Sequence, residues 1–313
     1  MIDLEALLIE QEPRIARGFI AMIANMKREV NMAELEALIE SGQMHEALAL
    51  VLRSAPNVAT ASGVAFMAAA RETAKQMGSD LDAVVIDFDV TSPNTTDAMR
   101  DMQLGLVDSF TEGQRQATQA AIVAGILAGL TPREQAQRFR DSIGLTATQQ
   151  RAVDNYERAL KGASRDALGN ALRNKGDDAA VRAAAAAGEA LPAARIERMV
   201  ERYRQRMIAH RAAVIARTEA LRSVNSGMDA MFEQAFASGE LEREQTVQTW
   251  ITAKDERVRG THRTMHGQQR LLGEPFVSGA GNLLMRPGDS RAPISETINC
   301  RCHRTITIKV RVT

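Results

Sequence analysis

Aromatic residues make up only 4% of this 313-residue chain, with one Trp and two Tyr, and cysteine occurs twice, at Cys300 and Cys302. Two cysteines in a C-x-C spacing cannot make an unstrained disulfide framework, and their scarcity points to a protein kept reduced inside a cell. No apolar run approaches the roughly 20 residues that a bilayer span requires. AAIVAGILAGL at 120–130 and the alanine run near 184 both fall far short. The opening MIDLEALLIEQEPRIARG lacks a basic segment followed by an uninterrupted apolar core, which argues against a secretory signal. Neither sign of charge is in excess, with 39 Lys and Arg against 39 Asp and Glu, and 45% of residues are hydrophobic. That balance describes a soluble globular chain rather than a disordered one, made in a cytoplasm and without a membrane partner.

What is abundant is the vocabulary of helices: Ala, Met, Gln, Arg and Glu. The predicted fold class is mainly α, an elongated helical N-terminal body with a small C-terminal α+β domain. Leu4, Leu7, Leu8, Ile15, Phe19, Ile23 and Met26 fall near a 3.6-residue period, and residues 2–80 read as several helices. AVVIDFDV at 83–90 is β-branched and alternating, closed by Ser92, Pro93 and Asn94, and reads as an isolated strand. Thr131 with Pro132 and Glu134, and Thr146 with Gln149, are two capping boxes that start helices ended by Gly144 and Gly162. The low-complexity stretch NKGDDAAVRAAAAAGEALPAA carries Gly176, Gly188 and Pro192. The predicted organisation is a helical domain over 1–175, a flexible joint over 176–192, a long helix over 193–240 and the α+β domain over 241–313. The tail TITIKVRVT alternates as an antiparallel strand does.

The C-terminal domain concentrates the chemistry. Residues 245–313 hold 11 Lys and Arg against 5 Asp and Glu, so a neutral chain ends in a basic module. Arg263, Arg270, Arg286, Arg304, Lys309 and Arg311 are candidates for contact with DNA phosphates without sequence preference. His262 and His266 at i, i+4 spacing, with Cys300 and Cys302, would make a Cys2His2 set for a structural zinc ion. The competing reading has the two cysteines as small buried residues on one side of a strand and His262 bonded to a carboxylate such as Asp255. The glycines at 267, 273, 279, 281 and 288 match no phosphate loop and read as turn residues, with Asp289 closing a turn on backbone N–H groups.

The order of motifs in this domain, QTWITAKDERVRGTHRTMHGQ and then GEPFVSGAGNLLMRPGDSRAPISETINCRCHRTI, resembles the phage Mu protein F-like family of head morphogenesis proteins. Trp250, Asp255, Arg257, Arg259, His262, Gly267, Phe276, Pro287, Gly288, Asp289, Glu296, Asn299, Cys300, Arg301 and Cys302 carry the likeness. ARTEALRSVNSG at 216–227 shares it, so the similarity covers about 216–308. It implies a minor head protein, a virion component in few copies at the portal vertex or inner capsid, with portal protein, major capsid protein and packaged double-stranded DNA as partners. It implies synthesis in the bacterial host cytoplasm, a role in head assembly and DNA packaging or ejection, and no catalytic reaction. An alternative from another class is a toxin-like or nuclease-like enzyme domain, with Asp255, His262, Glu296 and the arginines acting on nucleic acid or nucleotide. Against it, Arg and carboxylate side chains near tight turns commonly fix loops where the apolar core is thin.

Overall fold

The computed structural model describes residues 2–52, 59–80, 88–89 and 91–309. Eleven α-helices and six short strands are laid out among them, and the fold is mainly α with a small C-terminal sheet region. The chain divides into two compact units, each assembled from separated stretches; three of the four divisions fall inside helices α1 (Glu5–Glu29), α5 (Pro93–Leu127) and α9 (Ala193–Ala237), and the fourth, at 57/58, lies outside the described residues. The strand predicted over 83–90 lies outside the described residues except for Phe88 and Asp89, which are in no regular element.

The first unit comprises Met1–Phe19, Val58–Val107 and Ala213–Thr313. Its sheet runs β1-β6-β2-β3, antiparallel throughout, from β1 (Ile2–Asp3), β2 (Thr246–Ile251), β3 (Gln269–Leu271) and β6 (His303–Ile308). A hairpin of β4 (Phe276–Val277) and β5 (Leu283–Leu284) stands apart. Phe66, Ala69, Ala70, Ala74 and Met77 of α4 (Ala59–Asp80) pack with Val224, Met228, Met231 and Phe232 of α9, and with Leu4, Leu272 and Ile306. These α4 positions recur every three or four residues and are mostly small, so the two helix backbones approach closely. The approach is tightest at Gly227. A methyl group there would lie far inside van der Waals contact distance of the Phe66 carbonyl oxygen and 3.1 Å from the Ala69 Cβ. Leu4 and α4, which the sequence places in a helical domain over 1–175, share a core of the first unit with α9, Leu272 and Ile306.

The second unit comprises Ile20–Asn57 and Asp108–Ala212. Both predicted capping boxes are present. Thr131 caps α6 (Pro132–Ser142) and Thr146 caps α7 (Ala147–Lys161), each with the reciprocal bond from Glu134 or Gln149. Between them Gln114 spans the turn, accepting from the Gly144 N–H at 2.8 Å. Val153, Tyr156 and Leu160 of α7 are buried, and the Tyr156 ring lies 4.6 Å from that of Tyr203. Residues 176–192, predicted as a flexible joint, contain helix α8 (Asp178–Ala187), closed by Gly188 at φ +68. Arg173 forks both oxygens of Asp178 at 2.9 Å, and Arg202 binds Asp177 at 2.7 Å. The alanine run that read as low complexity is also the best helix-forming sequence, and these ion pairs give it an anchor.

Candidate functional site

Trp250 of β2 is fully buried and organises a small core with Leu221, Met265, Phe276, Leu284, Cys300 and Cys302. Its ring stands edge-on to His262, with centroids 5.4 Å apart, and to Phe276 at 5.2 Å. His262 belongs to a single helical turn, α10 (Gly260–Arg263), and is 1% exposed. Its Nδ1 lies 3.5 Å from the Sγ of Cys300 and 3.5 Å from the Sγ of Cys302. On the other side of the ring, Nε2 lies 3.0 Å from Glu296 Oε2. Glu296, on the one-turn helix α11 (Ile294–Thr297), accepts hydrogen bonds from Thr261 Oγ1 at 2.8 Å, Ser278 Oγ at 3.1 Å and Asn282 Nδ2 at 2.9 Å. Burial works to raise its pKa, but the bonds from Asn282, Thr261 and Ser278, with His262 beside it, hold the carboxyl below its ordinary value.

The two cysteines face the same way because the chain is extended between them, so residues two apart share a side. The run is aimed by Asn299, which sits in the left-handed region at φ +54, a conformation Asn tolerates better than most side chains. Its N–H donates to Thr218 Oγ1 at 2.9 Å, and its Oδ1 accepts from Arg217 Nη1 at 2.8 Å. Arg217 also bonds Glu12, at 2.9 Å. Thus the ARTE stretch of α9 docks the cysteine-bearing segment. A bond from Cys302 draws Cys300 toward the thiolate, against burial and with help from His262, while the same bond and burial push Cys302 up.

Charged side chains around this core are largely committed to one another. Asp255 is held at a pKa of about 2, chiefly by the Arg301 guanidinium that grips both of its oxygens, and it also accepts the Arg257 N–H at 3.0 Å. Arg259 donates to the Ile298 carbonyl. Arg304 is 3% exposed. It donates to Asn225 Oδ1 at 2.9 Å, to Gln248 Oε1 at 2.7 Å and to the carboxylate of Asp229. Asp229 in turn receives Arg286 Nη1 at 2.7 Å. Asp289 accepts the Met285 N–H at 2.9 Å and the Arg291 N–H at 3.1 Å, which closes the turn as the sequence predicts.

The structure brings together Trp250, His262, Glu296, Cys300 and Cys302, and pairs Asp255 with Arg301. It separates His266 from the predicted zinc set. The ligand atoms of His262, Cys300 and Cys302 all lie within 4.8 Å of one another, and His266 is not among them. The i, i+4 argument fails because α10 ends at Arg263; His266 Nδ1 instead accepts the Thr252 N–H at 3.2 Å. The carboxylate beside His262 is Glu296 and not Asp255. The phosphate candidates also change. Arg304 is interior and Arg286 is half-buried in an ion pair, so neither is presented for a phosphate. Arg263 and Lys309 are exposed, Arg270 is half-buried and bonded to the Pro275 carbonyl at 3.2 Å, and Arg311 lies outside the described residues. Sequence reasoning missed Thr261, Ser278 and Asn282 around Glu296, and Asp229, Asn225 and Gln248 around Arg304.

A mainly α chain with a small antiparallel sheet, centred on a buried Trp, His, carboxylate and C-x-C cluster, is the class that these features define. Residues 178–305, less than half of the chain, match the family model described as Phage Mu protein F like protein, so this region is similar to that family. The match begins at α8, well before the stretch from 216 where the sequence likeness is plain. No curated protein and no solved structure matches the chain.

Proposed function

We propose that this protein is a structural component of a bacteriophage head, located at the portal vertex or inner capsid and acting in head morphogenesis and in DNA packaging or ejection. The observation that carries the reading is that the family match, residues 178–305, encloses the whole buried centre from Trp250 to Arg304. Its polar groups are spent inside the fold: Asp255 on Arg301, Glu296 on three side-chain donors and His262, and Arg304 on Asp229. A group that must act on a bound substrate needs a free face toward it, whereas a network of this kind fixes loops over a thin core. Portal protein and major capsid protein are the proposed partners. Arg263, Arg270 and Lys309 are the proposed phosphate contacts to packaged duplex DNA. Interrupting the gene in cells that produce the particles tests the role. A sharp loss of DNA-filled heads, restored by the intact gene in trans, is expected; an unchanged yield of filled heads would overturn it.

A further inference from the structure

We propose that His262, Cys300 and Cys302 form a binding site for one zinc-class divalent cation, held by His262 Nδ1 and both Sγ atoms, with a fourth position open to a solvent ligand. The site does not depend on the head assignment. Zinc binds imidazole nitrogen at about 2.0–2.1 Å and thiolate sulfur at about 2.3 Å, and at a tetrahedral angle those lengths place N and S about 3.6 Å apart. Nδ1 lies 3.5 Å from each sulfur, close to that spacing. All three residues are buried and their ligand atoms converge within 4.8 Å.

The back of the imidazole is prepared as well. Nε2 lies 3.0 Å from Glu296 Oε2 but is not aligned for a hydrogen bond in this structure. In the tautomer with the proton on Nε2, Nδ1 has its lone pair free on the side of the sulfurs. A carboxylate behind a histidine ligand is the usual outer-shell device for fixing tautomer and ring orientation. Glu296 is itself fixed by Thr261, Ser278 and Asn282, so the orientation is imposed by the fold. Two thiolates and one imidazole are a soft to borderline donor set, suited to zinc and poorly suited to magnesium or calcium. A 260 Å³ cleft lined in part by Leu8, Glu12, Arg217, Cys300, Cys302 and His303 lies beside the two cysteines. Bound there, the cation would clamp α10 to the entry of β6 in a domain with little apolar mass.

The test uses the full chain, purified under reducing conditions without chelator and analysed for metal by mass spectrometry, then reloaded with cobalt(II). About one equivalent of zinc per chain is expected, and the cobalt form should show thiolate-to-metal charge-transfer absorption. Cys300→Ser and Cys302→Ser should each lose the metal and the absorption, while His266→Ala should keep both. Where a cysteine variant does not fold, the cobalt spectra of the unsubstituted chain and of His266→Ala decide. A folded chain that takes up neither zinc nor cobalt would overturn the proposal and leave thiol hydrogen bonds to His262. Loss of the metal in His266→Ala would overturn the three-residue ligand set.

Discussion

Asp229→Ala is expected to destabilise the first unit by about 3–5 kcal/mol, because it leaves the guanidinium of Arg304 charged and interior without its carboxylate. Arg304 cannot shed its proton to escape, and it is 3% exposed, with the Asn225 side chain and carbonyl and the Gln248 side chain as its remaining partners. Arg304→Met removes the charge but strands acceptors on Asn225 and Gln248, so it too is costly, by about 1–3 kcal/mol per stranded group. The double variant should lose less than the sum of the two, since both single changes break one shared interaction. Trp250 is the one Trp of the chain and is buried in this unit. Its fluorescence in a urea titration therefore follows this unit and not the other. A midpoint for Asp229→Ala within error of the parent would show that the pair does not hold β6 to α9.

The second large effect is expected at Gly227. Gly227→Ala drives a methyl group into the Phe66 carbonyl, and a backbone oxygen inside a helix cannot rotate away as a side chain can. Helices α4 and α9 would have to separate, opening the packing of Phe66, Ala69, Val224 and Met228, and the cost should reach about 3 kcal/mol, the upper part of the overpacking range. Gly260→Ala is the control: nothing lies within 4 Å of its Cβ, and the change should stay within about 0.5 kcal/mol. Trp fluorescence in urea reads both. Equal midpoints for the two variants would mean that the helices have room to spare.

Local signals predicted local structure well. The two capping boxes and the alternation of TITI led directly to α6, α7 and β6, because each depends on residues a few positions apart. Long-range assembly was not legible. Nothing in the opening residues announces that Ile2 pairs with Ile306 at the sheet edge, or that α4 shares a core with α9. The same limit governs the site. Trp250, His262, Glu296 and the cysteines stand out by type, but the donors Thr261, Ser278 and Asn282 around Glu296 are ordinary loop residues until the fold gathers them.

Arg304 carries a legible signal for burial. Alternation along β6 puts residue 304 on the same face as Cys302 and Ile306, both buried, so period-2 reasoning assigns this arginine to the interior despite its charge. Reading basic residues as a surface set ignored that register. His266 went the other way: an i, i+4 spacing means a shared face only on a continuing helix, and α10 is one turn long.

A place in the phage head is tested most directly by counting the chain in purified particles. DNA-filled particles from cells carrying the gene, washed and analysed by quantitative mass spectrometry against the portal and major capsid proteins, should contain the chain at a small, fixed ratio to portal. Particles that lack it, with the protein left free in the lysate, would contradict the assignment.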